Sequence, residues 1–177
     1  MAERYRGVVK PEALAALADR LFRDARAVHG LGETERTCLA AAAWLHDVAA
    51  RDGQPKAGHH ERSAERIAGL EIEGLPPAAR AIVAEAVRLH ANQSDVAGFL
   101  ARLRAGAVGP EGRVVGGIAA ILRIADGLAP SSRPRPEPTR IASVRDAAGR
   151  LEIRVAGPAA DADAARATAK ADLWNAL

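Results

Sequence analysis

Four prolines in nine residues, at positions 130, 134, 136 and 138, split this chain into two stretches with different hydrophobic periods. Proline fixes φ near −65° and carries no amide hydrogen, so neither a helix interior nor a central strand runs through such a segment. Residues 130–138 therefore read as a linker. Before them apolar residues recur at helical spacing, and after them they alternate. The expectation is a helical domain over 1–129 and a small αβ tail over 139–177 packed on it. The fold class is mainly α, α+β overall.

Leu14, Leu17, Ala18, Leu21, Ala25 and Val28 line one face of a helix from Pro11 to Val28, since residues three and four apart share a face. Pro11 suits a first turn. His29-Gly-Leu-Gly32 ends this helix, and a second runs from Glu33 or Thr34 to about Ala50. Glycine and proline make 51–58 a loop. Further helices are expected from His60 to about Leu70, Pro77 to about His90, Asp95 to Arg104 and Arg113 to about Leu128, about six in all. Past the linker, Leu151, Ile153 and Val155 alternate with Glu152 and Arg154, the pattern of a strand with one face covered. Arg140 to Val144 is a weaker strand, Asp146-Ala-Ala-Gly149 the turn between them, and Asp161 starts a last helix to about Ala176. Two strands alone are marginal in water, so this hairpin needs cover from its helix, the main body or another sheet.

The 177 residues fit one domain with an appendage. They are 49% hydrophobic but only 3% aromatic, and the abundant alanine favours closely packed helices. No apolar run approaches the roughly 18 residues that cross a membrane, and Met1-Ala-Glu-Arg-Tyr-Arg6 lacks the apolar stretch of a signal peptide. The single cysteine, Cys38, reads as core and suits a reducing cytoplasm. The net charge of +3 comes with 22 arginines, three lysines and no aromatic platform, so specific nucleic-acid binding is not expected.

Against this apolar background, polar residues stand out. His46-Asp47 lies inside Leu39-Ala-Ala-Ala-Ala-Trp-Leu-His-Asp-Val48. Burying either group without a partner costs several kcal/mol. Neighbouring helical positions sit about 100° apart, so both side chains can lean toward one point, where a divalent metal would satisfy both. His59-His60 opens a helix, His90 ends one, and Asp126 sits in the apolar run 121–128. Imidazole with carboxylate suits manganese, iron, zinc or magnesium. Each residue also has a plainer reading. His90 can face a helix dipole, His59 can be solvated, His29 can be a surface turn residue, and Asp126 can pair with Arg123 three residues earlier.

The ordered set resembles the HD-domain metal phosphohydrolase superfamily, and more closely the C-terminal domain of the Ppx/GppA exopolyphosphatase/guanosine pentaphosphate phosphohydrolase family. The matching stretches are His29-Gly-Leu-Gly with Ala42-Ala-Trp-Leu-His-Asp-Val48, His59-His-Glu-Arg-Ser-Ala64, Val87-Arg-Leu-His90 and Ala120-Ile-Leu-Arg-Ile-Ala-Asp-Gly-Leu128. The resemblance extends to the linker, hairpin and last helix. It implies His46, Asp47 and Asp126 as metal ligands. His60 and His90 would carry protons or hold a second metal or a phosphate, and Arg62, Arg88 and Arg123 would meet substrate phosphate. It also sets Lys10 where the family has its first histidine ligand. A lysine there would pair with Asp47 and Asp126 in place of a metal, or would point outward and leave the metal fewer protein ligands. Arg62 stands near where the family often has another histidine. The actin-like phosphatase domain preceding this one in Ppx/GppA proteins has no counterpart in these residues.

Two functions are therefore expected. One is a metal-dependent phosphohydrolase acting on a phosphate ester, nucleotide or polyphosphate. The other is a non-catalytic module that binds polyphosphate, guanosine phosphates or a partner, such as a separate actin-like phosphatase. An unpaired sheet edge would suit a homodimer.

Overall fold

The computed structural model describes residues 11–50, 57–129, 137–147 and 150–177. Lys10, most of the proline-rich linker and part of the hairpin turn lie outside them. Seven helices precede the linker: α1 (Pro11–Asp24), α2 (Arg26–His29), α3 (Glu33–Leu45), α4 (His59–Gly69), α5 (Pro77–Arg88), α6 (Val96–Arg104) and α7 (Gly112–Leu128). The tail is a hairpin of β1 (Arg140–Asp146) and β2 (Leu151–Ala156), then α8 (Ala160–Ala169) and α9 (Asp172–Ala176). The expected class, mainly helical with a small hairpin and a C-terminal helix, is the one observed.

The centre is α7, which packs against α1, α3, α5, α8 and α9. It is buried on nearly every side, and a helix with this many neighbours has little use for a polar face. Gly127 brings α8 close. A Cβ there would lie 2.4 Å from the Cα of Ala167, so only a bare glycine admits the facing backbone. The strands pair antiparallel from Arg140↔Ala156 to Asp146↔Leu151, with an irregularity between Ile141 and Ser143. Ala147 and Arg150 close the turn by mutual backbone hydrogen bonds of 2.8 and 3.2 Å.

The tail is tied to the helices by a buried network. Thr139 donates its hydroxyl to Asp163 (2.5 Å), and Arg166 reaches both Asp163 (2.7 Å) and the Ala129 carbonyl (3.0 Å). One carboxylate thus joins the start of β1, helix α8 and the end of α7.

Three boundaries differ from the periodicity. The first helix breaks at Ala25 into α1 and α2. There His29 folds back: its ring accepts the Leu31 amide on Nδ1 (3.0 Å) and donates from Nε2 to the Phe22 carbonyl (2.8 Å). It is half-buried and structural, not the surface turn residue expected. Helix α3 stops at Leu45, short of Ala50, and 46–50 form a tight turn in which the Ser63 hydroxyl takes the Ala49 amide (3.1 Å). The last helix divides between Ala169 and Asp172, which places Lys170 at a corner.

Candidate metal centre

The early end of α3 places His46 at its C-cap and Asp47 one residue beyond, both buried. His59 and His60 open α4, and His90 follows the end of α5 by two residues. Helix ends thus converge from three sides, because α5 packs on both α3 and α4. Nε2 of His46 lies 3.4 Å from Asp47 Oδ2, and Nε2 of His90 lies 3.7 Å from Oδ1. The ring of His46 meets that of His90 edge-on, centroids 5.2 Å apart.

Both rings are held by their other nitrogen. His46 donates Nδ1–H to the Ala43 carbonyl (2.9 Å), and His90 donates Nδ1–H to the Val87 carbonyl (2.6 Å). In each neutral ring, Nε2 is then left as a lone pair, and both lone pairs face the same carboxylate. His46 Nε2 and Asp47 Oδ1 are buried with no aligned hydrogen-bond partner among the described residues. Acceptors facing acceptors repel unless a cation lies between them. His46, Asp47 and His90 can hold a metal ion: one ligand atom from each lies within 4.8 Å of the others.

The electrostatics follow. Burial opposes charge on Asp47, but with a proton on the ring nitrogens that face it, donation from His46, then His59 and His90, outweighs burial and holds its carboxyl below the ordinary carboxylate range. Burial also works against a charged His46, but Asp47, then Asp126 and the Ala43 carbonyl, raise its pKa overall. For His90 burial wins, and the ring is pushed toward its neutral form. Burial lowers the pKa of His60 as well, helped by His59 and by the charges of Arg88 and Arg62, with Glu61 opposing.

Several expected residues sit elsewhere. Asp126 is outside the converging group. Its carboxylate bonds the ammonium of Lys170, which also donates to the His90 carbonyl (3.2 Å). Burial opposes ionisation of Asp126, but Lys170, His90 and His46 together lower its pKa. Asp126 is not the partner of Arg123. That arginine, 2% exposed, gives its guanidinium to the Leu89 and Ala91 carbonyls (2.8 and 2.7 Å) and to Asp172 (2.7 Å). It clamps the chain around His90 to α9, so the expectation that it meets phosphate is corrected: its donors are spent inside the protein. Arg62 bonds the Ala57 carbonyl and Arg88 pairs with Glu85. Arg62 follows His60 by two residues on α4 and Arg88 precedes His90 by two on α5, and the charge of each works against a proton on His60. His60 is buried, with no hydrogen-bond partner for Nδ1 among the described residues.

Two participants escaped the sequence reading. His59 is not solvated: it is buried, with Nε2 3.1 Å from Asp47 Oδ1. Lys170 is the lysine on Asp126. Its one signal was rarity, as one of three lysines among 25 basic residues. No protein-family model matches the chain. No curated protein matches it either.

Proposed function

We propose that the protein is a divalent-metal-dependent phosphohydrolase with its centre on His46, Asp47 and His90. The observation that carries this reading is the convergence of two fixed Nε2 lone pairs on one buried carboxylate, which asks for a cation. A divalent ion held there supplies Lewis acidity toward a phosphoryl oxygen and lowers the pKa of water. The Ala43 and Val87 carbonyls fix the tautomer and aim of the two rings. In this reading His60, pushed toward its neutral form by burial and with Nδ1 open beside the His59 and His90 rings, accepts a proton and returns it to a leaving group. Arg62 and Arg88 supply positive charge on that side for a phosphate. The choice of phosphate as substrate rests on these arginines and on the resemblance to HD-domain proteins.

A second reading draws on Lys170. It already neutralises Asp126, and a centre deprived of that carboxylate suits a binding module for polyphosphate or guanosine phosphates.

Protein purified without chelator is analysed for metal, reloaded with manganese, iron, zinc or magnesium, and assayed on p-nitrophenyl phosphate, polyphosphate and guanosine tetraphosphate. Near-stoichiometric metal with turnover that His46→Ala abolishes is the expected result. Failure to bind any of the four metals overturns the enzyme. Metal or phosphate binding without turnover selects the module.

A further inference from the structure

On the tail side of α7 the hairpin does not close onto the helices. A cleft of about 1070 Å³ lies between β2, α7, the α8–α9 corner and the segment joining α1 to α3. Leu151, Ile153 and Val155, the alternating face that the sequence marks as needing cover, line it and are only half-buried. Val28 and Leu177 stand on its rim, 43% and 50% exposed. Binding sites for small molecules are typically apolar clefts of this kind with a few polar groups at defined points.

The charges in the cleft select the occupant. Among the described residues that line it, Arg113 and Arg150 have the only charged side chains, and none has an acidic side chain. Both are exposed, and neither makes an ion pair among the described residues. His29 adds no charge, since its ring is held between the Leu31 amide and the Phe22 carbonyl. An aliphatic trough with two guanidiniums that make no ion pair, and with no acidic side chain among its described lining residues, matches a molecule with a hydrocarbon body and one anionic end.

We propose that this cleft binds a linear acyl-chain anion, with its chain along β2 and α7 and its carboxylate or phosphate head at Arg113 and Arg150. It uses none of the residues of the metal centre, so it stands independently of the function proposed above.

Trp174 lines the cleft and Trp44, the other tryptophan, lies on α3. In the full chain with Trp44→Phe, Trp174 fluorescence reports a titration with dodecanoate below its micelle concentration, checked by calorimetry. Saturation at one per chain is expected. Shortening to decanoate weakens binding about sixteenfold, at about fourfold per methylene. Dodecanol binds at least about tenfold more weakly than dodecanoate, because it leaves the arginines unpaired. Dodecyl phosphate, as tight or tighter, identifies a phosphate head as the better fit. Arg113→Gln and Arg150→Gln, both at exposed positions, each weaken dodecanoate about three- to tenfold while keeping the chain-length dependence. Ala164→Phe fills the cleft and removes binding. The proposal is overturned if dodecanol binds as tightly as dodecanoate, if the double arginine variant binds unchanged, or if no saturation occurs. It is equally overturned if the mass doubles with concentration and Leu151→Glu abolishes the doubling, because the cleft would then be covered by a second copy.

Discussion

Asp47 and Asp163 are both buried carboxylates, and they meet opposite fates. Asp163, fully buried, receives a hydroxyl hydrogen bond from Thr139 and two-way support from Arg166, which is itself anchored on the Ala129 carbonyl. Its charge is answered by donors that the fold already contains. Asp47 is ringed by His46, His59 and His90, and at least two of those rings spend their Nδ1 hydrogen on backbone carbonyls. What reaches Asp47 from His46 and His90 is a lone pair unless a proton or metal intervenes. Buried acids that serve the fold come with donors. One faced by two fixed acceptors is organised around something else. Asp126 falls between the two: it lies close enough to influence His46 and His90, yet it is answered by Lys170.

The largest expected effect separates the first pair. His46→Gln and Asp47→Asn should each weaken metal binding at least about 100-fold, since each removes a ligand and not merely an outer-shell partner. Equilibrium dialysis with metal analysis measures this, and retention in both variants would dissolve the contrast. Asp163→Ala should leave metal content intact and reduce stability by roughly 3 kcal/mol, because a buried, partnered charge is removed. For a chain of this size that is a loss of about 6–12 °C in Tm. An Asp163→Ala protein that loses metal but keeps its Tm would mean the two carboxylates have been assigned the wrong way round.

Asp126 and Lys170 sharpen the middle case. If Lys170 competes with a metal for Asp126, Lys170→Gln should tighten metal binding about tenfold and Asp126→Asn should weaken it by a similar factor. If neither substitution changes affinity, Asp126 belongs with Asp163 as a purely structural acid. The smallest effect concerns His29. Burial, aided by Arg26 and resisted by the Phe22 carbonyl, lowers its pKa in the fold. Its contribution is therefore complete above the unfolded value of about 6.5 and falls as pH drops through that value toward the lower folded pKa. Protonation removes the lone pair that accepts the Leu31 amide. The Tm advantage of the wild type over His29→Gln should be constant above about pH 7 and shrink toward pH 5. A flat difference across that range would remove His29 from the α1–α3 junction as a stabilising hook.

Much of the fold was legible because periodicity and proline act locally. The helices over 59–69, 77–88, 96–104 and 112–128, the start of the one at 33, and the strand Leu151–Ala156, fall close to where spacing puts them. Two of the misjudged boundaries have a side chain from outside the segment on backbone groups that would have continued the helix: the Ser63 hydroxyl takes the Ala49 amide, and Arg123 takes the Lys170 carbonyl. The polar members of the centre were visible as intrusions in apolar runs, but their division of labour was not. His59 and His60 are adjacent in sequence, and only the approach of α4 to the end of α3 decides that His59 touches Asp47. Arg123 reads as a phosphate ligand until the chain around His90 and the α9 helix close over it.

The sequence by itself determined the helical body, the strand-bearing tail and the set of histidines and aspartates that must find partners, since hydrophobic period and the cost of burying polar groups are properties of the chain. Which partners they found was decided only in the tertiary structure. Lys170 lies 44 residues from Asp126 along the chain, and Asp172 lies 49 from Arg123. The physical reason is that a charge is satisfied by whatever packing brings within about 3 Å, and no local pattern encodes that distance.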